Sequence, residues 1–320
     1  MRIAICGVWH VHAPQYFELA SKYCEITGVW DENEQWRADF AKKYNIPEYK
    51  TLDELLSSDA DAAIVCTSTN IHTEVMVKLA NANKHIFTEK VLALTDEDCE
   101  KVEKAVKDNG VNFVISLIQK YWAGQRTVKA IADSGELGKI NYLRYRNVHS
   151  GSVGKWLPAH FYNAKECGGG AMIDLGAHGM YVTDWFLGVP EGASSTFTIA
   201  CDSEHANNIN PDRIEDNAVT VMRFGNGAIA VNETGFVSNG CPITLEVGGE
   251  DGYVTFNAGS GKVYKNTKAT EGKLIEAELL EALPSPLEQF CTGNILEGCG
   301  IEDAKRLTHL MVMAYAKVNM

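Results

Sequence analysis

The stretch RIAICGVWHVHAP, residues 2–14, decides the fold. Arg2–Cys6 is a short apolar run carrying the β-branched Ile3 and Ile5, and it reads as a buried strand. A loop follows from Gly7, then a helix from about Pro14 to Lys22. The same beat repeats along the chain. Ile26–Trp30 reads as strand, Glu34–Tyr44 as helix, Ala62–Thr67 as strand, Ile71–Ala82 as helix, His85–Phe87 as strand, Asp96–Asp108 as helix and Val111–Ser116 as strand. Strands alternating with helices of this length build βαβ units, and so a doubly wound parallel sheet covered on both faces. Gly110, just past a helix, suits a C-cap.

After about residue 118 the rhythm changes. Helical segments surround Thr127–Ser134 and Gly170–Leu187, with a strand at Ile140–Val148. Short strands then crowd together: Thr196–Cys201, Ala218–Phe224, Ala228–Thr234, Thr244–Val247 and Tyr253–Phe256. Gly225-Asn226-Gly227 joins two of them as a hairpin turn. Strands linked by tight turns make an antiparallel sheet. The fold class expected is therefore α/β followed by α+β. Residues 1–118 form a dinucleotide-binding domain, and residues 119–320 a substrate-binding and oligomerisation domain, an open antiparallel sheet with helices on one face. The final helix, 302–318, is free to pack back on the first domain.

Composition excludes several classes of partner. Lys plus Arg is 29 against 42 for Asp plus Glu, a formal net charge of −13. Such a surface repels phosphate backbones and anionic bilayers, so neither nucleic acid nor a membrane is expected as partner. The nine cysteines are odd in number and form no Cys-x-x-Cys pair. Those inside apolar runs read as small core residues. With no signal peptide ahead of the first strand, a cytoplasmic location is expected.

Ligands of a parallel sheet sit beyond the carboxyl ends of its strands. The first such end is Gly7-Val8-Trp9-His10-Val11-His12. Its place is that of the Rossmann dinucleotide fingerprint, but only Gly7 survives of G-x-G-x-x-G. Trp9 stands where a missing side chain lets backbone approach a pyrophosphate, and His12 where glycine lets helix and strand pack closely. Asp31 ends the second strand, where a carboxylate accepts the adenosine ribose hydroxyls, and Glu32 follows it. Two carboxylates repel a 2′-phosphate, which favours NAD over NADP.

Further along, Asp61-Ala-Ala-Ile-Val-Cys-Thr-Ser-Thr-Asn70-Ile-His72 is followed by Lys84-His-Ile-Phe-Thr-Glu89-Lys90. A third stretch reads Gly168-Gly-Gly-Ala-Met-Ile-Asp174-Leu-Gly-Ala-His178. Together they resemble the Gfo/Idh/MocA oxidoreductases, including their inositol and sugar dehydrogenases. In that family one strand ends in Thr-Pro-x-x-x-His, the next in Glu-Lys-Pro, and the second domain carries Gly-Gly-Gly-x-x-x-Asp-x-Gly-x-His. The resemblance spans essentially the whole chain. It implies NAD as cofactor, with Gly7, Trp9, His10 and His12 along the first loop. Thr67, Ser68, Asn70 and His72 would line the nicotinamide's path, Glu89 would bind its ribose, and Lys90 would face the substrate. Val91 departs from the family's proline, and Lys120 stands where the family often has arginine.

Transferring hydride to or from a carbon bearing oxygen needs a proton carrier and charge near the developing alkoxide. Asp174 and His178, four apart on a helical segment, would share a face, so the carboxylate could orient the imidazole as acid/base. Lys90 would polarise the reacting oxygen in a cleft between the domains. Lys120, Trp122, Trp156 and His160 are the candidates for substrate contact. Any one of these residues can also be a plain surface or packing group. The histidines near one strand end (His10, His12, His72), or His160 with Asp174 and His178, show no tight ligand spacing, so no metal is expected. The expected function is NAD-dependent oxidation or reduction of a sugar, inositol or related polyol, in a homodimer or homotetramer paired through the second domain's sheet. The resemblance also admits a hydrolase or lyase that oxidises its sugar transiently while retaining NAD, or a non-catalytic sugar- or nucleotide-sensing regulator.

Overall fold

The computed structural model describes residues 1–201 and 214–319. They gather into two compact units: residues 1–117 with 284–308, and residues 118–283 with 309–320.

In the first unit the chain runs β1 (Arg2–Cys6), α1 (Ala13–Ala20), β2 (Glu25–Trp30), α2 (Glu34–Tyr44), α3 (Leu52–Ser57), β3 (Ala62–Val65), α4 (His72–Asn81), β4 (His85–Thr88), α5 (Asp96–Asn109) and β5 (Phe113–Ile115). The strands form one five-stranded sheet in the order β2-β1-β3-β4-β5. Every neighbouring pair is parallel. Residues 3–6 of β1 and all of β3 are fully buried, as expected where helices cover both faces. Burying each such Ile or Val contributes about 1.5–3 kcal/mol. The helices begin and end on written signals. The Asn33 side chain caps α2, the Thr95 hydroxyl accepts the Asp98 amide at the start of α5, and Gly110 closes α5 in the left-handed region at φ 62°. The strand order reverses between β1 and β3, so the ends of these two strands flank the switch point.

Residues 284–308 complete this unit with α9 (Pro286–Thr292) and the start of α10 (Ile301–Ala316). The Ile115 amide donates to the Cys299 carbonyl at 2.9 Å, Tyr23 Oη donates to Glu288 at 2.8 Å, and Phe290 packs on Phe87.

The second unit holds α6 (Ala123–Asp133), β6 (Ile140–Val148), α7 (Ala164–Cys167), a π-helical turn at Met172–Gly176, α8 (Ala177–Leu187), β7 (Gly192–Thr198), β8 (Asn217–Arg223), β9 (Ile229–Gly235), β10 (Thr244–Gly249), β11 (Gly252–Asn257), β12 (Lys262–Thr267), β13 (Ile275–Glu276) and β14 (Val318–Asn319). Its nine strands lie in the order β13-β12-β11-β10-β6-β9-β8-β7-β14. The sheet is mostly antiparallel, but β6 pairs with β9 and β7 with β14 in parallel. Side chains alternate. Leu143, Tyr145, Ala218, Met222, Ala230, Leu245, Val247, Val254 and Val263 are buried on one face. The helices press on that face at two glycines: a Cβ on Gly124 would meet the Phe256 ring at 2.2 Å, and one on Gly179 would meet Asn232 Oδ1 at 2.1 Å. The opposite face leaves Tyr142, Val219, Val221, Ile229 and Tyr253 exposed.

Candidate active site

The loop after β1 is drawn tightly against β3. Gly7 sits at φ 93°, and a Cβ there would lie 2.5 Å from the Thr67 amide nitrogen, so only glycine fits. Asp31 anchors the same loop. Its Oδ2 accepts the Val8 amide at 2.6 Å and its Oδ1 the Asn33 amide at 2.8 Å. The carboxyl is buried, which raises its pKa, while the two amides pull it back. Asp31 therefore holds the turn as well as standing at the expected ribose position, with Glu32 exposed beside it.

Trp9 and His10 are buried, and the His10 amide donates to the Cys66 carbonyl at 3.0 Å. His12 is the N-cap of α1 and half-exposed. Its Nδ1 lies 3.0 Å from Oε2 of Glu89, and His10 Nδ1 lies 3.9 Å from the same oxygen. Tyr16, one turn along α1, donates to that oxygen at 2.8 Å and pairs with Ser116 Oγ at 2.8 Å. The other Glu89 oxygen accepts the Lys90 amide at 3.2 Å. Burial pushes Glu89 upward, but His10, His12 and Lys90 outweigh it and hold the carboxyl well below the usual range. Lys90 itself is 5% exposed. The end of β4 thus presents a buried carboxylate followed by a buried lysine.

Thr67 and Ser68, at the end of β3, are buried, and their hydroxyls have no hydrogen-bond partner among the described residues. A buried hydroxyl left so costs about 1–3 kcal/mol, which a bound polar ligand recovers. Asn70 is exposed at the next turn. His72 differs from the expectation. It is 1% exposed, with Nδ1 2.9 Å from the Val91 carbonyl and Nε2 3.1 Å from the Thr67 carbonyl. Burial lowers its pKa, and the ring staples the ends of β3 and β4. The histidine grouping also differs: His10 and His12 converge with Glu89, not with His72, and one ligand atom from each of the three lies within 4.8 Å of the others.

In the second unit the third motif is built on glycines. A Cβ on Gly169 would meet Tyr315 Oη at 2.1 Å, and one on Gly170 would meet the Glu215 carbonyl oxygen at 1.9 Å. Oε1 of buried Glu215 accepts the Gly170 amide at 2.9 Å, the Met172 amide at 3.1 Å and Tyr315 Oη at 2.6 Å. The chain then enters the π-helical turn carrying Asp174, a widened register that often marks functional segments. The α-helical spacing expected between Asp174 and His178 is therefore interrupted. His178 Nδ1 pairs with Tyr181 Oη at 2.7 Å, and Tyr181 accepts the Gln119 amide at 3.2 Å. Gln119 also receives the Tyr145 hydroxyl. That chain ties His178 to the turn bearing buried Lys120, with half-buried Trp122 beginning α6.

Trp156 is 52% exposed on a loop where its ring packs on His149, which stacks on Phe236 at 4.9 Å. His160 lies half-buried in a short 3₁₀ turn, its carbonyl receiving the Cys167 thiol. Arg144, another polar group of this half, is engaged by a bidentate pair with Glu233 at 2.8 and 3.1 Å. Sequence reasoning missed Tyr16, Ser116, Tyr181, Glu215 and Tyr315. Of these only Tyr16 carried a local signal, four residues past His12 on one helix face.

A five-stranded parallel sheet with a switch point is thus followed along the chain by a mostly antiparallel sheet whose unit carries a glycine-rich turn. The chain belongs to the Gfo/Idh/MocA oxidoreductases: residues 1–116 match that oxidoreductase family's NAD-binding Rossmann fold, and residues 125–255 match its C-terminal domain. The cofactor of this family fold is NAD. An uncharacterised oxidoreductase of Streptococcus pneumoniae is 28% identical over 215 residues, 66% of this chain and 56% of that protein. Inositol 2-dehydrogenase of Salmonella paratyphi B is 36% identical over 114 residues, 35% of this chain and 33% of that protein. The chain thus spans about half or less of the length of these relatives. The structure of a levoglucosan dehydrogenase with NADH superposes with a TM-score of 0.81 at 17% identity, covering 98% of this chain and 95% of that one. Among the described residues no helix is long and apolar enough to cross a membrane.

Proposed function

We propose that this protein is an NAD-dependent dehydrogenase acting on a hydroxyl or keto carbon of a sugar, inositol or related polyol. The observation that carries the reading is the end of β4, where Lys90 is 5% exposed directly after the buried, ionised Glu89. A lysine costs free energy to bury, and placing one at a sheet's ligand-binding edge is worthwhile where it stabilises developing negative charge. Relatives named as inositol dehydrogenases support the substrate class.

The residues present fit NAD. The hydroxyls of Thr67 and Ser68 offer unmet hydrogen-bonding capacity, Asp31 and Glu32 past the end of β2 suit the adenosine ribose, and Glu89 suits the nicotinamide ribose. Bound NAD supplies the hydride acceptor. Lys90 polarises the reacting oxygen. His178 takes the hydroxyl proton during oxidation and returns it during reduction. Tyr181 holds the ring at Nδ1, and Asp174 supplies negative charge from the π-turn. Lys120, Trp122, Trp156 and His160 contact the substrate, the exposed Trp156 ring offering a face for a sugar's C–H groups. Two copies pair through the outer sheet face that carries Val221 and Ile229.

Steady-state kinetics on a polyol panel test the assignment. His178→Ala should lower kcat roughly 10²–10⁴-fold, Lys90→Ala should also lower it strongly, and Asp174→Asn should cost less than the histidine. All three should still bind NAD, more tightly than NADP, by calorimetry. Near wild-type turnover in both His178→Ala and Lys90→Ala would overturn the site.

A further inference from the structure

We propose that His10, His12 and Glu89 form a binding site for a divalent transition-metal ion. The proposal stands on the loop's geometry and is independent of the catalytic roles given to Lys90 and His178. The loop is a poor phosphate cradle because two of its six residues are imidazoles, and those imidazoles make it a His-x-His chelate. Oε2 of Glu89 lies 3.0 Å from His12 Nδ1 and 3.9 Å from His10 Nδ1. Ligand atoms bound at about 2.0–2.2 Å to a tetrahedral ion sit roughly 3.4 Å apart, and the observed separations bracket that value. One ligand atom from each of the three residues lies within 4.8 Å of the others, a spread that side-chain torsions can close.

The His12 amide donates to His10 Nδ1 at 3.2 Å, a bond that an incoming ion would replace. The outer shell is built as well: Tyr16 and the Lys90 amide each hold a Glu89 oxygen, and the Cys66 carbonyl fixes the backbone of His10. Glu89 and His10 are buried, whereas the His12 side chain is 38% exposed and gives the ion a path in and an open coordination position. Two imidazoles and one carboxylate suit cobalt, zinc, nickel or ferrous iron better than calcium or magnesium, which prefer all-oxygen sets.

The test is a Co²⁺ titration of the full chain after chelator treatment, followed by calorimetry and by visible d–d absorption. Wild type should take up one Co²⁺ per chain with micromolar affinity, with absorption typical of nitrogen and oxygen ligands. His12→Ala, at the half-exposed ligand of the set, should weaken binding at least about tenfold and abolish the rise in melting temperature on adding Co²⁺. Glu89→Gln should weaken it likewise. Absence of one-to-one binding, binding unchanged in His12→Ala, or intense near-ultraviolet bands from thiolate ligation would each overturn the proposal.

Discussion

The hydroxyl of Tyr181 lies 2.7 Å from Nδ1 of His178 and receives the backbone amide of Gln119 at 3.2 Å. The hydroxyl oxygen keeps a second lone pair, which can accept the hydrogen on Nδ1, the tautomer that leaves Nε2 open to take a proton. Tyr181→Phe removes the hydroxyl and keeps the packing. Turnover should fall about fivefold to tenfold, the rate equivalent of ~1 kcal/mol, with NAD affinity unchanged. Steady-state kinetics beside nucleotide titration measure both. An equal fall in NAD affinity would remove Tyr181 from the proton path.

Gly7 is held at φ 93° with the Thr67 backbone 2.5 Å from where a Cβ would stand. Gly7→Ala must push the β1 loop away from β3. It should cost about 2 kcal/mol or more in a urea titration and weaken NAD, since Val8 would lose its place on Asp31. An alanine variant with wild-type midpoint and affinity would show that the loop has room to spare.

Glu215 gathers three donors on Oε1, and burial raises its carboxyl above the ordinary value despite them. A raised folded pKa means the favourable protonated form is present below the unfolded value and is lost as pH rises through the folded one. At neutral pH the ionised group therefore detracts from stability. Glu215→Gln keeps the Oε1 acceptor and removes the charge, so it should equal or exceed wild-type stability at pH 7, the difference vanishing near pH 4. Glu215→Ala strands the Gly170 and Met172 amides and should lose about 2–3 kcal/mol and much of the turnover. Thermal melts across that pH range distinguish the two, and a glutamine variant as damaged as the alanine one would refute the account.

Val221 and Ile229 stand 44% and 47% exposed on the outer sheet face. If two copies pair there, Val221→Lys should shift the sedimentation-derived mass toward the monomer while leaving the melting temperature of the monomer intact. A mass unchanged by the substitution would move the contact elsewhere.

Most of the first unit was readable because its strands are covered on both faces and appear as unbroken apolar runs. Its helices also start and stop on residues such as Asn33, Thr95 and Gly110 that act locally. The hairpin at Gly225–Gly227 was readable for the same reason. Strand β12 was not: KVYKNT is half polar and becomes a strand by pairing with β11. The two-residue strands β13 and β14 exist only through their neighbours. The site divides likewise. The Glu89-Lys90 and Gly168–His178 motifs could be found by eye, but Glu215 reaches Gly170 from 45 residues away and Tyr315 reaches the Ile173 amide from 142. The break in α-helical register at Asp174 had no sequence signal that periodicity could expose.

The return of residues 284–308 to the first unit bears on how such a chain can be rearranged genetically. A gene cut once near codon 117 yields a fragment whose β5 lacks the Cys299 carbonyl, whose Tyr23 lacks Glu288 and whose Phe87 lacks Phe290. Recombination at a single crossover therefore cannot transplant a working nucleotide module onto a foreign partner. A viable chimera needs two exchanges, the second restoring α9 and the turn before α10, so inheritance of the two halves is coupled and specificity changes by local substitution more readily than by swapping halves.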